Sequence, residues 1–390
     1  MTESNNTDLS ISSSVLIDSS ILSMKQVNTS LNNQDVLNNP SLNSGDEYLR
    51  IFNITQQITG LYLMPFISIL GIIGNIFIVI VYHKSKKSST NLYLIVLSMS
   101  DILKLFNDFL YFVVNLTNKL DPALGNKIFN NLYLYSHYIF LFTAINTSWL
   151  TCTIALDRYI AVVKSRGKME NGSYFKSIII TVFLLFISAV ISLPSPLFLV
   201  SVQEFDPNQN ATVIKLAETE LNRTHFRKIY NYFNALAKAF IPLILLIYLD
   251  YQIIRVVYKN KMKKKAMASK KQKKKSSVTL MLITIILTFT LCMFPDAIMT
   301  MMQFGYANET YLVKSIREVT DLLLAINSAV TFPICYHFSI EFRSKFKKLF
   351  LSEEKILRNK QMGDAMSIAE ENENLFHNTK IQISPSTAVK

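Results

Sequence analysis

Long apolar runs dominate the chain, and they are separated by short polar stretches. Seven runs, at residues 58–82, 90–116, 131–163, 175–200, 229–258, 277–304 and 311–340, each reach the roughly 20 residues with which an α-helix crosses a ~30 Å hydrocarbon layer. Leu, Ile, Phe, Val and Tyr follow one another in them with little period-2 alternation, which predicts helices rather than the strands of a membrane barrel. Residues 1–57 are rich in Ser, Asn and Thr, and residues 351–390 are polar and acidic, so both predict disordered tails. No basic flank followed by a short apolar stretch marks a cleaved signal, and the first run is expected to direct insertion itself. Between the last run and the tail, Phe338, Phe342, Phe346, Leu349 and Phe350 recur at helical spacing among Arg and Lys. That pattern predicts a short amphipathic helix over 341–350, lying in the membrane interface. The predicted fold is an all-α membrane protein, a seven-transmembrane helix bundle at 58–340 followed by that helix.

Composition agrees with a membrane protein. Mean hydropathy is +0.27 and half of the residues are apolar, with 17% charged, where a soluble domain of this length alternates polar and apolar stretches. Three Cys exclude a disulfide scaffold or a Cys-based zinc module, and five scattered His without an H-E-x-x-H pair offer no catalytic metal site. The formal net charge of +13 is placed where it orients the spans. Lys84, Lys86 and Lys87 follow the first run; Lys164, Arg166 and Lys168 follow the third. Ten lysines lie between Lys259 and Lys275, and Arg343, Lys345, Lys347 and Lys348 follow the seventh run. By the positive-inside bias these segments are cytoplasmic. N-x-S/T sequons at Asn5, Asn28, Asn53, Asn115, Asn210, Asn222 and Asn308 fall on the other side, and Asn5, Asn28, Asn53, Asn210 and Asn222 are the glycosylation candidates. Sequons at Asn146, within a span, and Asn171, in a basic loop, should be unused. The expected topology is a multi-pass plasma-membrane protein with its N-terminus outside and its C-terminus cytoplasmic. The lysine run reads either as topogenic charge beside anionic lipid or as a docking surface, not as a nucleic-acid site.

Ionisable and amide side chains at membrane depth are costly and mark function. Gly74-Asn75 sits in the first run. Asp101, Lys104 and Asp108 share one face of the second. The third ends in Asp157-Arg158-Tyr159; Pro242 and Pro295 should kink the fifth and sixth; Asn327-Ser328 and Thr331-Phe332-Pro333-Ile334-Cys335 lie in the seventh.

Taken in order, this series resembles the rhodopsin-like (class A) G protein-coupled receptors over residues 58 to 350. The family's G-N, L-x-x-x-D, D-R-Y, helix 5 Pro, F-x-x-C-W-x-P and N-S patterns correspond to Gly74-Asn75, Leu97–Asp101, Asp157–Tyr159, Pro242, Phe289 to Pro295, and Asn327-Ser328. The N-S-x-V-x-F run of helix 7 is similar, slightly, to receptors for invertebrate FMRFamide-like neuropeptides. There are departures. No Cys stands at the start of helix 3 or in the loop 201–228, so the family's usual disulfide cannot form, and Cys152, Cys292 and Cys335 fall inside spans as packing residues. The helix 6 Trp is Met293, and helix 4 has no Trp. Pro333-Ile334-Cys335-Tyr336 matches the family's P-x-x-Y literally, but counting from Asn327-Ser328 or back from Phe342 puts Cys335 at the tyrosine position. Two anchors favour that second register.

The resemblance implies a receptor that transduces an extracellular ligand, expected to be a peptide, to a heterotrimeric G protein, with arrestin and a kinase meeting its tail. It implies an activation switch of Asp157, Arg158, Tyr159, Phe289, Met293, Pro295 and Cys335. It also implies a polar pocket of Asn75, Asp101, Lys104, Thr147, Asn327 and Ser328, in which a sodium ion is the only small cofactor suggested. Lys104 either replaces that ion as a tethered ammonium beside Asp101 or pairs with Asp108 alone. Retinal is excluded because Ala325 stands at the opsin lysine position, and amines because Phe140 stands 18 residues before Arg158, where their Asp is needed. Ligand candidates are Asp108, His137, Phe140, Lys238, Asp296, Arg317 and Asp321. Their carboxylates need cationic partners, from a ligand such as an RF-amide-type peptide or from Lys238 and Arg317 internally. His137 and Tyr133 read more readily as packing residues. Competing readings are a seven-helix transporter or channel using Asp101, Lys104 and Asp108, and a receptor-like protein that has lost coupling. An enzyme lacks any Ser-His, paired-Asp or zinc arrangement at compatible depths.

Overall fold

The computed structural model describes residues 44–163, 172–206, 211–263, 270–305 and 310–350. The sequons at Asn5, Asn28, Asn171, Asn210 and Asn308, the basic residues Lys164, Arg166 and Lys168, the centre of the lysine run and the tail 351–390 lie outside these residues. The chain up to Ile340 forms one compact unit, and a second begins at Glu341.

The first span comprises α1 (Ser44–Gln56), a π-helical stretch (Gln57–Leu63) and α2 (Met64–His83). The second to fourth spans are α3 (Ser89–Leu120), α4 (Pro122–Val163) and α5 (Gly172–Ser192). A hairpin of β1 (Leu199–Asp206) and β2 (Ala211–Glu218) follows. The fifth span is α6 (His225–Ala235), a second π-helical stretch (Leu236–Phe240) and α7 (Ile241–Lys263). The sixth and seventh are α8 (Lys270–Gly305) and α9 (Tyr311–Phe338), and α10 (Ile340–Phe350) starts at the junction of the two units. Helices suit hydrocarbon because every backbone N–H and C=O is satisfied within the segment. Apolar side chains such as Phe66, Phe183, Ile244 and Leu291 point out of the bundle, each at least 60% exposed. Such a surface would aggregate in water and is what lipid requires. Six of the spans are long and apolar enough to cross a membrane on their own composition. The exception is α3, whose Asp101, Lys104 and Asp108 lower its hydropathy; the bundle around it supplies their surroundings.

Several ends differ from the apolar limits. The first helix begins at Ser44, so residues 44–57 are not part of a disordered tail: Phe52 is buried and its ring lies 6.1 Å from that of Tyr311. Helix α4 begins at Pro122 rather than near 131, because the Asp121 carboxylate accepts the N–H groups of Ala123 (3.0 Å) and Leu124 (3.1 Å) while Pro occupies the first helical position. The fourth span stops at Ser192, eight residues early, where Pro194 and Pro196 interrupt the helical ladder and a 3-10 turn, Ser195–Phe198, takes over. The segment after it, expected as loop, forms an eight-pair antiparallel ladder from Leu199↔Glu218 to Asp206↔Ala211. Within α10, Phe342 and Phe346 stack (6.1 Å) and Glu341 pairs with Lys345 (2.6 Å), the spacing expected of an amphipathic helix.

The third span packs on the second, fourth, fifth and sixth, and the first packs on the second and seventh. The first span meets its neighbours closely at Gly71, where an added Cβ would stand 2.6 Å from Leu105 Cδ1 and 2.9 Å from Ala329 Cβ; at Gly74 it would stand 2.8 Å from Phe332 Cβ. Small residues let backbones approach where lipid gives no hydrophobic drive for helix association.

Candidate functional site

At the hairpin end, a cavity of about 450 Å³ opens between the second, third, fifth, sixth and seventh spans, with Phe52 and Gln56 of the first at its edge. All seven ligand candidates, Asp108, His137, Phe140, Lys238, Asp296, Arg317 and Asp321, line it. Two of the carboxylates are neutralised internally. Lys104 Nζ lies 2.5 Å from Asp108 one helical turn away, and Lys238 Nζ lies 3.1 Å from Asp296 across the fifth and sixth spans. Lys238 also sits 5.5 Å from the centre of the Phe140 ring, and His137 stacks on Tyr133 at 5.6 Å. Asp321 makes no hydrogen bond or ion pair among the described residues.

Glu318, which sequence reading passed over, belongs to this wall. Its carboxylate accepts hydrogen bonds from Tyr111 Oη (3.0 Å) and Thr59 Oγ1 (3.3 Å), tying the first, second and seventh spans together. Its one-turn spacing from Lys314 and three-residue spacing from Asp321 were the available signals. Arg227 was missed because it precedes the apolar limit of the fifth run.

Deeper in, Asn75 Nδ2 donates to Gly71 O and Ser328 O, both at 2.9 Å, and Asn146 Nδ2 donates to Ser100 Oγ at 2.6 Å. The Asp101 carboxylate is buried beside the hydroxyls of Ser328 and Thr331. Asn327 presents its carbonyl to Thr331 Oγ1 at 3.5 Å. Lys104 engages Asp108, not Asp101, so the tethered-ammonium alternative loses its direct contact: one helical turn brings the ammonium to Asp108 without stretching the side chain. Asp101 Oδ1, Thr147 Oγ1, Asn75 Oδ1 and Asn146 Oδ1 are buried without hydrogen-bond partners. Buried oxygen acceptors left without a donor are of the chemical kind that a hard monovalent cation takes.

At the opposite end, Arg158 pairs with Asp157, and its Nη2 donates to Thr90 Oγ1 of the second span at 2.9 Å. Tyr159 is partly buried. Phe289, Met293 and Cys335 are buried, with Ser148 Oγ 3.8 Å from Met293 Sδ, and Pro295 lies inside α8.

The description "7 transmembrane receptor (rhodopsin family)" matches residues 74–336, two thirds of the chain. The chain belongs to this family. Curated relatives include C-C chemokine receptor 1-like protein 1 of Mus musculus, 28% identical over 56% of this chain and 58% of that protein. Another is the FMRFamide receptor of Drosophila melanogaster, 23% identical over 74% of this chain and 52% of that protein. A third is bombesin receptor subtype-3 of Ovis aries, 23% identical over 71% of each. The chain thus spans little more than half the length of the first two.

This rhodopsin-family member holds its hairpin without a disulfide. Asn130, near the start of α4, grips both strands: its Nδ2 donates to Ile214 O of β2 (2.6 Å), and its carbonyl accepts Ser201 Oγ of β1 (3.0 Å). Leu216 adds an apolar contact to Phe129 and Val114. Asn130→Ala removes one hydrogen bond of ~0.5–1.5 kcal/mol. Amide hydrogen exchange across 199–218 should therefore accelerate about two- to tenfold, more with Ser201→Ala added, with the spans unchanged. Reducing agent should leave the unmutated exchange as it was, because the three Cys are unbridged inside the bundle.

Asp250 is a second residue that sequence reading overlooked, although the rule applied to Asp101 would have found it. It is buried in the fifth span and accepts Thr290 Oγ1 of the sixth at 3.0 Å. Trp149, in the third span, donates to Ala237 O (3.0 Å) within the second π-helical stretch. The glycosylation candidate Asn222 needs correction. It sits in a 3-10 turn, is 3% exposed and has no partner for Oδ1, so the folded chain does not present it to solvent; Asn53 is only partly buried.

Proposed function

We propose that this chain is a plasma-membrane receptor, N-terminus outside and C-terminus cytoplasmic, that senses an extracellular peptide and activates a heterotrimeric G protein. The observation that carries the reading is that one helix, α4, serves both ends. It lines the polar cavity with Tyr133, His137 and Phe140, and it carries the Asp157–Arg158 pair about five turns beyond Phe140. A ligand that repositions the cavity walls shifts the balance between two bundle arrangements, and Arg158 exchanges its internal partners for the G protein as the sixth span swings about Pro295. The relatives named for chemokine, FMRFamide and bombesin support a peptide as the ligand class. A cavity of about 450 Å³ has room for a few peptide side chains.

A sodium ion would be held by Asp101 with Thr147 and the neighbouring amide oxygens, supplying the charge that balances a buried carboxylate. Asn327 and Ser328 position that wall. Arrestin and a kinase are the partners proposed for the tail. Expression in cells with a library of short peptides, read by guanine-nucleotide exchange on added G protein, tests the proposal. Peptide-driven exchange is the expected result. A ligand-independent ion current or solute uptake with no exchange would replace the receptor reading with a transporter.

A further inference from the structure

Two charged side chains of opposite sign in the cavity lining, on different spans, lack both a hydrogen bond and an ion pair among the described residues. Asp321 of the seventh span has no hydrogen bond or ion pair among the described residues, and Arg227 of α6 likewise has none through its side chain. The Arg227 guanidinium lies 4.3 Å from the centre of the Phe198 ring and lines the cavity without a carboxylate in ion-pair contact. Glu218 of the hairpin is within electrostatic reach of it but forms no ion pair. On the other wall, Asp321 stands among Asp296, Glu318, Arg317 and Lys104; Asp296 is held by Lys238 and Lys104 by Asp108. His137 shares the lining with Arg227, the Lys238–Asp296 pair and Asp321. The seventh span packs on the first, second and sixth, and the fifth on the third and sixth. The two groups therefore stand on different spans and form no ion pair with each other.

From this arrangement we infer that the ligand is bipolar: a peptide that places a guanidinium or ammonium on Asp321 and a carboxylate on Arg227. This rests on the peptide-receptor reading and narrows it. A guanidinium and a carboxylate meet in two parallel N–H···O bonds, a geometry that both walls can offer to the complementary group. A peptide with an amidated end and no acidic side chain supplies only the cationic half, so such ligands are disfavoured relative to free acids.

The test uses four pools of N-acetylated synthetic hexapeptides with identical neutral positions. They carry Arg or citrulline at one site and a free or amidated C-terminus. Binding is read as stabilisation of the purified full-length protein against thermal unfolding, which requires no signalling. The Arg, free-acid pool is expected to bind at least about tenfold tighter than either singly charged pool. Asp321→Asn should abolish the preference for Arg over citrulline and leave the preference for acid over amide. Arg227→Gln should do the reverse, and Arg227→Lys should retain part of the acid preference. Equal binding by all pools, or an Arg preference that survives Asp321→Asn, overturns the bipolar site and leaves the peptide reading standing. Binding by none of the pools overturns both. Should a variant fail to fold, the comparison of pools on the unmutated protein still decides.

Discussion

Arg158→Ala is expected to lower ligand-driven nucleotide exchange on the order of 100-fold, while surface expression stays within about twofold of the unmutated protein. In the structure the guanidinium bridges Asp157 and Thr90, joining the third and second spans. A charge-assisted hydrogen bond of this kind contributes ~1.5–3 kcal/mol. The same side chain is proposed to make the external contact once the sixth span has moved. Alanine removes both contacts, and the second cannot be replaced by water, which binds every bundle arrangement alike. Stimulated exchange should fall on the order of 100-fold. Arg158→Lys should recover only part, since an ammonium offers a point charge in place of a planar fork. Full exchange by Arg158→Ala at normal surface density would remove Arg158 from the coupling mechanism. Flow cytometry on intact cells and nucleotide exchange on membranes measure the two quantities independently.

The second large effect is expected at Gly71. Its Cα faces Leu105 of the second span and Ala329 of the seventh so closely that a Cβ alone meets Leu105 Cδ1 at 2.6 Å, Ala329 Cβ at 2.9 Å and the Ala329 main chain at 3.1 Å. Its carbonyl also accepts Asn75 Nδ2 at 2.9 Å, while the same amide reaches Ser328 O. Gly71→Val adds three carbons where none fits, and backbone on the far side cannot yield as a flexible side chain does. Overpacking of this kind costs ~1–3 kcal/mol, and more where main chains must separate. We expect surface expression to fall several-fold and the thermal midpoint to drop by several degrees. Ile73→Val, two residues on and 47% exposed toward lipid, should change stability by less than about 0.5 kcal/mol. A Gly71→Val protein that matches Ile73→Val in both measurements would mean that the first, second and seventh spans do not meet at this point.

The same comparison of positions shows which features a linear reading could find. The apolar runs gave the number of spans because hydrophobic length is a property of the segment itself. Asp101, Asp157, Arg158 and Asp321 stood out because each interrupts such a run. Asp250 and Glu318 obey the same rule and were available to it. By contrast, α1 and the first turns of α4 are amphipathic or capped, so their residues look like loop until Phe52 is seen against Tyr311 and Asp121 against Ala123 and Leu124. The hairpin strands are short, and what fixes them is partly Asn130, some 70 to 84 residues away in the chain.

By itself the sequence determined the seven spans, the family and the residues able to carry charge at membrane depth, since burial in lipid acts on each segment separately. Only the tertiary structure decided who neutralises whom: Lys104 serves Asp108 and not Asp101, Lys238 serves Asp296, and Asp321 and Arg227 are left to face the cavity. Ion pairing depends on distances of a few ångströms between helices, and those are set by how small residues such as Gly71 let the rods approach, which no single segment records.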